Sequence, residues 1–209
     1  MDIQVALDRI PLERAVRISD AVARHVDWIE VGTSLIKQFG QDAVRRVVDA
    51  AGRTPVLADL KTVDDVRFEF GLAFDAGAAS VTVLGLAPDV TVDRAVEVTE
   101  QLGRELVVDL MSLTPQRVEE LASRLPETVV LAPHVSKDAQ GSGQRVQELL
   151  GAWSHGRRIA LAGGLTASDL ADLRSQPNLR VIVGSAVTKA SDPLQAVLEL
   201  RRAAGKDHA

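Results

Sequence analysis

A (β/α)8 barrel, the TIM-barrel architecture, is the fold class this sequence predicts, on three observations. Short apolar, β-branched runs alternate eight times with longer segments of helical periodicity. The runs are apolar almost throughout rather than alternating, as in parallel strands covered on both faces. The chain has 209 residues, enough for one well-buried core, and shows no linker or low-complexity tract. Residues 1–209 therefore read as one domain, with 205–209 expected to fray.

The expected strands are residues 3–7, 28–31, 56–60, 80–84, 106–110, 129–132, 159–162 and 181–183. Helical periodicity marks 12–25, 42–51, 66–76, 92–102, 115–125, 144–153, 167–173 and 193–204. Thr114 before Pro115 and Asp192 before Pro193 are N-cap and first-turn pairs. Gly77 and Gly103 stand where helices should end. Trp28 and Trp153 are read as packing residues. The pairs Arg45-Arg46, Arg157-Arg158 and Arg201-Arg202 are read as solvated faces or helix ends.

Composition excludes several classes of function. A net charge of -5 with both signs spread along the chain gives no basic stripe for nucleic acid. With no cysteine there is no disulfide, thiolate metal site or cysteine nucleophile. No apolar run approaches the ~20 residues of a membrane span, and the first residues lead straight into a strand without a signal-peptide pattern. The expected location is the cytoplasm.

In a parallel barrel the active site forms at the carboxyl ends of the strands, so what each strand ends in matters. Here the ends carry Asp8, Glu30, Asp59 with Lys61, Asp109 and His134. Strand periodicity of two sends Asp59 and Lys61 to the same side, where opposite charges neutralise each other. Either they form a structural ion pair or they belong to a catalytic rim, and five ionisable strand ends favour the rim. Glu30 and Asp59, on adjacent strands, suit Mg2+, which prefers oxygen ligands and keeps waters for a substrate to displace. His134 is a histidine at a strand end, and histidine is the side chain suited to proton transfer near neutrality. Gly163-Gly164 and Gly184-Ser185 follow the last two strands, where barrels commonly bind phosphate through backbone N–H groups.

The stretches QVALD, IEVGTSL, LADLKTVD, AFDAGAASVTVLG, VVDL, LAGGL and SDPLQAV, from Gln4 to about Ala203, resemble the 3-hexulose-6-phosphate synthase and 3-keto-L-gulonate-6-phosphate decarboxylase group of the orotidine-5'-phosphate decarboxylase superfamily. The Asp-x-Lys-x-x-Asp element, Asp59, Lys61 and Asp64, is the most specific part of the likeness. The resemblance implies a magnesium-dependent lyase passing through the enediolate of a ketose phosphate. Glu30 and Asp59 would hold the metal, Lys61 would stabilise the enediolate, Asp8 would bind hydroxyls and His134 would transfer a proton. Asp109 and Lys137 would contact substrate, and Asp64 would reach into a neighbouring subunit's site, implying a homodimer with shared active sites.

The sequence departs from the group's pattern at several positions. Asp65-Val66 replace the small residues usual after Asp64, and Val135 and Lys137 stand where decarboxylases tend to carry arginine. Ser185 replaces a phosphate-binding arginine of the decarboxylases, and Asp109 replaces a glutamate. Residues 134–143 resemble the decarboxylase more than the synthase. The expected activity is the synthase reaction, ribulose 5-phosphate joining formaldehyde. Decarboxylation of 3-keto-L-gulonate 6-phosphate is the alternative, and a non-catalytic sugar-phosphate-binding barrel is the alternative of another class.

Overall fold

A computed structural model of the chain describes residues 1–135, 138 and 146–206. Eight parallel strands close a barrel in sequence order: β1 (Asp2–Leu7), β2 (Trp28–Val31), β3 (Val56–Thr62), β4 (Ser80–Leu84), β5 (Glu105–Asp109), β6 (Val130–Ala132), β7 (Arg158–Ala162) and β8 (Leu179–Val183). β8 pairs with β1, which abolishes the sheet edge. The fold class read from the sequence is the one observed.

The helices are α1 (Leu12–Val22), α2 (Thr33–Phe39), α3 (Gln41–Ala51), α4 (Val66–Asp75), α5 (Asp89–Leu102), α6 (Pro115–Arg124), α7 (Ala167–Asp172), α8 (Ser185–Thr188) and α9 (Pro193–Ala203). Thr114 caps α6 by accepting from the Arg117 N–H, and Asp192 caps α9 by accepting from the Gln195 N–H, each with proline in the first turn. These local interactions fix where the helices begin.

Two hydrophobic clusters follow from the period-two alternation of the strands. Ile3, Val5 and Leu7, Val81 and Val83, and Val181 and Val183 face outward and join Phe70, Leu121 and Leu170 of the helices in the larger core. Inside the barrel, Leu57, Val107, Val130, Ala132 and Ala160 pack with Trp28 and Ile182. Small and medium side chains together with the Trp28 ring fill this narrow interior. The apolar plug supports the charged strand ends above it.

Several elements differ from the sequence-based expectations. Short α2 and α8 were not anticipated; each follows its strand almost directly, where a brief helix and a loop have the same composition. Where a helix was expected over 144–153, the described residues form only 3-10 turns at Val146–Leu149 and Ala152–Ser154. Extended Gly151 separates them, a residue of poor helix propensity. Arg157 is buried rather than solvated, donating to the carbonyls of Leu125 and Pro126 beyond the end of α6. Lys206, in the stretch expected to fray, lies 2.7 Å from the Asp27 carboxylate, and residues 207–209 lie outside those described.

Among the described residues no helix is long and apolar enough to cross a membrane.

Candidate active site

The charged strand ends meet at one mouth of the barrel. β3 supplies Asp59, only 8% exposed, and both its carboxylate oxygens are engaged. Oδ1 accepts from Thr82 Oγ1 (2.8 Å) and Lys61 Nζ (3.2 Å), and Oδ2 accepts from Thr33 Oγ1 (2.6 Å). Lys61 Nζ also donates to Asp109 Oδ2 at the end of β5. Asp109 Oδ1 accepts from the Met111 N–H at 2.8 Å and lies 3.2 Å from His134 Nδ1. Asp59, Lys61, Asp109 and His134 thus form one continuous chain of contacts.

Simple strand alternation does not account for Lys61. Its φ is +51°, and the β3–β4 register shifts between Ala58 and Thr62. A bulge of this kind re-aims a side chain near a site. The Lys61 N–H donates to Thr82 Oγ1 at 2.8 Å, and that hydroxyl in turn donates a hydrogen bond to Asp59 Oδ1. One threonine therefore stabilises both the irregular backbone and the carboxylate.

Burial disfavours the Lys61 ammonium, but the charges of Asp59 and Asp109 outweigh it and hold its pKa above the ordinary lysine range. Burial also disfavours the Asp109 carboxylate. The hydrogen bond from His134 and the Lys61 charge reverse that effect and bring the Asp109 pKa down to about 2. At neutral pH the mouth therefore holds the Lys61 ammonium against the ionised Asp109, with Asp59 on its other side. Because ionised Asp109 can only accept, the neutral His134 ring carries its proton on Nδ1, leaving Nε2 able to exchange protons.

Glu30, at the end of β2, is 8% exposed and accepts at Oε2 from Gln4 Nε2 (2.5 Å). Burial, followed by the negative charge of Asp59, pushes its pKa up to about 8; Gln4 and Lys61 oppose this only in part. A positive charge beside it would favour the ionised carboxylate. Among the described residues no three acidic or histidine side chains form a metal cluster of their own. A cation here would take the Glu30 and Asp59 carboxylates and complete its shell with water or ligand oxygens, a hard-oxygen arrangement suited to Mg2+.

Asp8 ends β1 beside this group, half-buried, with Oδ1 accepting from the Leu35 N–H at 3.1 Å in the first turn of α2. Residue 32 must lack a side chain, because a Cβ on Gly32 would lie 2.6 Å from the Asp8 Cβ. Asp64 stands apart, exposed, with Oδ1 accepting from the Asp65 N–H at 2.8 Å. Asp65 itself is left-handed, with φ of +50°, and precedes α4.

Gly163 and Gly164 have φ of +140° and +77° between β7 and α7, so glycine serves the turn itself as well as any ligand. Gly184 has an ordinary φ of -113° and leads into Ser185, the exposed first residue of α8. Lys137 lies outside the described residues. Sequence reasoning assigned no role to Gln4, Thr33, Thr82 or Arg180. Gln4 and Thr82 were detectable as polar residues inside apolar strands, and Thr33 as the residue after the Gly32 turn.

The chain matches the orotidine 5'-phosphate decarboxylase / HUMPS family over residues 1–200. It is 31% identical over 208 residues to the 3-hexulose-6-phosphate synthase of Staphylococcus aureus (strain USA300), covering 97% of this chain and 98% of the relative. The solved 3-hexulose-6-phosphate synthase from Salmonella typhimurium superimposes with a TM-score of 0.86 at 32% identity, covering 100% of both chains. The 3-keto-L-gulonate-6-phosphate decarboxylase structure from Vibrio cholerae gives a TM-score of 0.81 at 27% identity, over 100% of this chain and 99% of that one. The protein belongs to the orotidine 5'-phosphate decarboxylase / HUMPS family.

Proposed function

We propose that the protein is a magnesium-dependent aldehyde-lyase of the 3-hexulose-6-phosphate synthase type, joining ribulose 5-phosphate to formaldehyde through an enediolate. The observation that carries this reading is the Lys61 ammonium held between Asp59 and Asp109 at the barrel mouth, with the buried Glu30 carboxyl on the adjacent strand. The names of the full-length relatives support the choice of reaction.

The ion, when bound, supplies positive charge to the ketose oxygens as negative charge develops on them. Glu30 and Asp59 would hold it. His134 Nε2 takes a proton from C1 of ribulose 5-phosphate, and Asp109 stabilises the ring charge that results. Lys61 donates to the enediolate oxygen, where a preorganised charge has most effect. C1 of the enediolate then forms a bond to the formaldehyde carbon, whose oxygen is protonated. C1 becomes the new C2 and the former ketone carbon becomes C3, so the product is a 3-hexulose 6-phosphate. Asp8 and Asp109 orient substrate hydroxyls, with Lys137 as a further contact. The N–H groups around Gly163, Gly164, Gly184 and Ser185 would receive the phosphate.

The 3-keto-L-gulonate-6-phosphate decarboxylase reaction is the second reading, favoured by the similarity to the Vibrio cholerae structure. The same Lys61 and cation site would stabilise an enediolate left by loss of carbon dioxide. Asp109 and Ser185 favour the synthase over it. Magnesium-dependent loss of formaldehyde in the presence of ribulose 5-phosphate, abolished in Asp59→Ala, is the expected result. Carbon dioxide release from the keto-gulonate phosphate without formaldehyde consumption would transfer the assignment to the decarboxylase.

The functional unit in this reading is a cytoplasmic homodimer. Asp64 is free to address a second subunit, and apolar Val63 (48% exposed), Phe68 (62%), Leu86 (55%) and Val90 (71%) project from the neighbouring β3–α4 and β4–α5 segments.

A further inference from the structure

A buried polar chain runs from the amino-terminal end of the barrel strands to the mouth at their carboxyl ends. Arg180, 4% exposed near the start of β8, makes a two-pronged contact with Glu105 (Nη1 to Oε1, 2.9 Å; Nη2 to Oε2, 2.8 Å) and stacks 4.1 Å from the Trp28 ring centroid. Its Nη1 also donates to Gln4 Oε1 at 3.2 Å, and Gln4 Nε2 donates to Glu30 Oε2 at 2.5 Å. Gln4 is fully buried.

The polarity of this chain is fixed. A guanidinium has no acceptor, so the Gln4 carbonyl oxygen must face Arg180, and the amide NH2 must then face Glu30. The Glu105 fork and the Trp28 ring leave the guanidinium little freedom to turn. Glu30 Oε2 is thereby committed to Gln4, while Oε1 has no hydrogen-bond partner among the described residues. We propose that Gln4, oriented by Arg180, is a positioning residue that sets the rotation of the Glu30 carboxylate and keeps its free oxygen available to the cation. The proposal rests on the metal reading given above, in which Glu30 is a ligand. Other groups that orient metal ligands typically affect affinity by about 10- to 100-fold.

The test is binding of Mn2+ alone, a paramagnetic stand-in for Mg2+, followed by electron paramagnetic resonance on the purified full chain. Gln4→Met keeps the volume and removes both hydrogen bonds. It is expected to weaken Mn2+ about tenfold or more while circular dichroism stays that of the wild type. Arg180→Lys retains a charge for Glu105 but not the fork that orients Gln4, and it is expected to weaken Mn2+ several-fold; it also serves as the readout if Gln4→Met does not fold. Affinities within twofold of the wild type in a folded variant would overturn the positioning role while leaving the metal site standing. Failure of the wild type to bind Mn2+, or binding unaffected by Glu30→Gln, would overturn the metal reading and the positioning role with it.

Discussion

Lys61 shows how a single residue combines irregular backbone with a charged role. A non-glycine residue at positive φ costs on the order of 1–3 kcal/mol and persists where its surroundings over-determine it. Here Thr82, Asp59 and Asp109 do so. Glu30 carries the complementary prediction. Its folded pKa is raised from 4.5 to about 8 by burial and by Asp59. Below the unfolded value both states are protonated and the contribution to stability is complete; as pH rises to about 8, only the folded state retains the proton, and stability is lost. The melting temperature of the metal-free protein should therefore fall more steeply between those pH values than that of Glu30→Gln. Parallel curves would contradict the Glu30 shift. The ionisable members of the site were legible in the sequence because a charge at the end of an apolar strand is conspicuous. Gln4 and Thr82 stand out only as polar residues in apolar strands, and Thr33 only as the residue after Gly32; an uncharged polar side chain does not disclose its partner, so their bonds to Glu30 and Asp59 were not legible.

At the scale of elements, every strand was located to within about two residues at each end, since apolar runs bounded by turns leave little latitude. Two features escaped. β3 continues to Thr62 through its bulge, and only the register with β4 reveals that Lys61 leaves the regular alternation. The strand-end logic nevertheless brought Lys61 to Asp59, because a long, flexible lysine reaches an adjacent carboxylate from either backbone geometry. Short helices α2 and α8 are set by their strands and by tertiary packing more than by intrinsic propensity, which is a weak guide over so few residues. α2 matters to the site: its start supplies Thr33 to Asp59 and the Leu35 N–H to Asp8.

At the scale of the whole molecule, barrel closure brings Asp8, Glu30, Asp59, Asp109 and His134 from strands far apart in sequence to one mouth, and a polar chain crosses the interior beneath it. The exposed apolar side chains near Asp64 lead to a further expectation. Size-exclusion chromatography should give a dimer, and mixing inactive Asp64→Ala with inactive Lys61→Ala subunits should restore part of the activity, because each hybrid dimer contains one intact site. A stable, active monomer would remove Asp64 from the mechanism. The central claim is that this mouth generates an enediolate, and the most direct test is exchange of a C1 proton of ribulose 5-phosphate with deuterium oxide, followed by nuclear magnetic resonance without formaldehyde. The account predicts stereospecific, Mg2+-dependent exchange that disappears in Lys61→Ala. Absence of exchange in the folded, Mg2+-saturated wild-type protein, or undiminished exchange in Lys61→Ala, would contradict it.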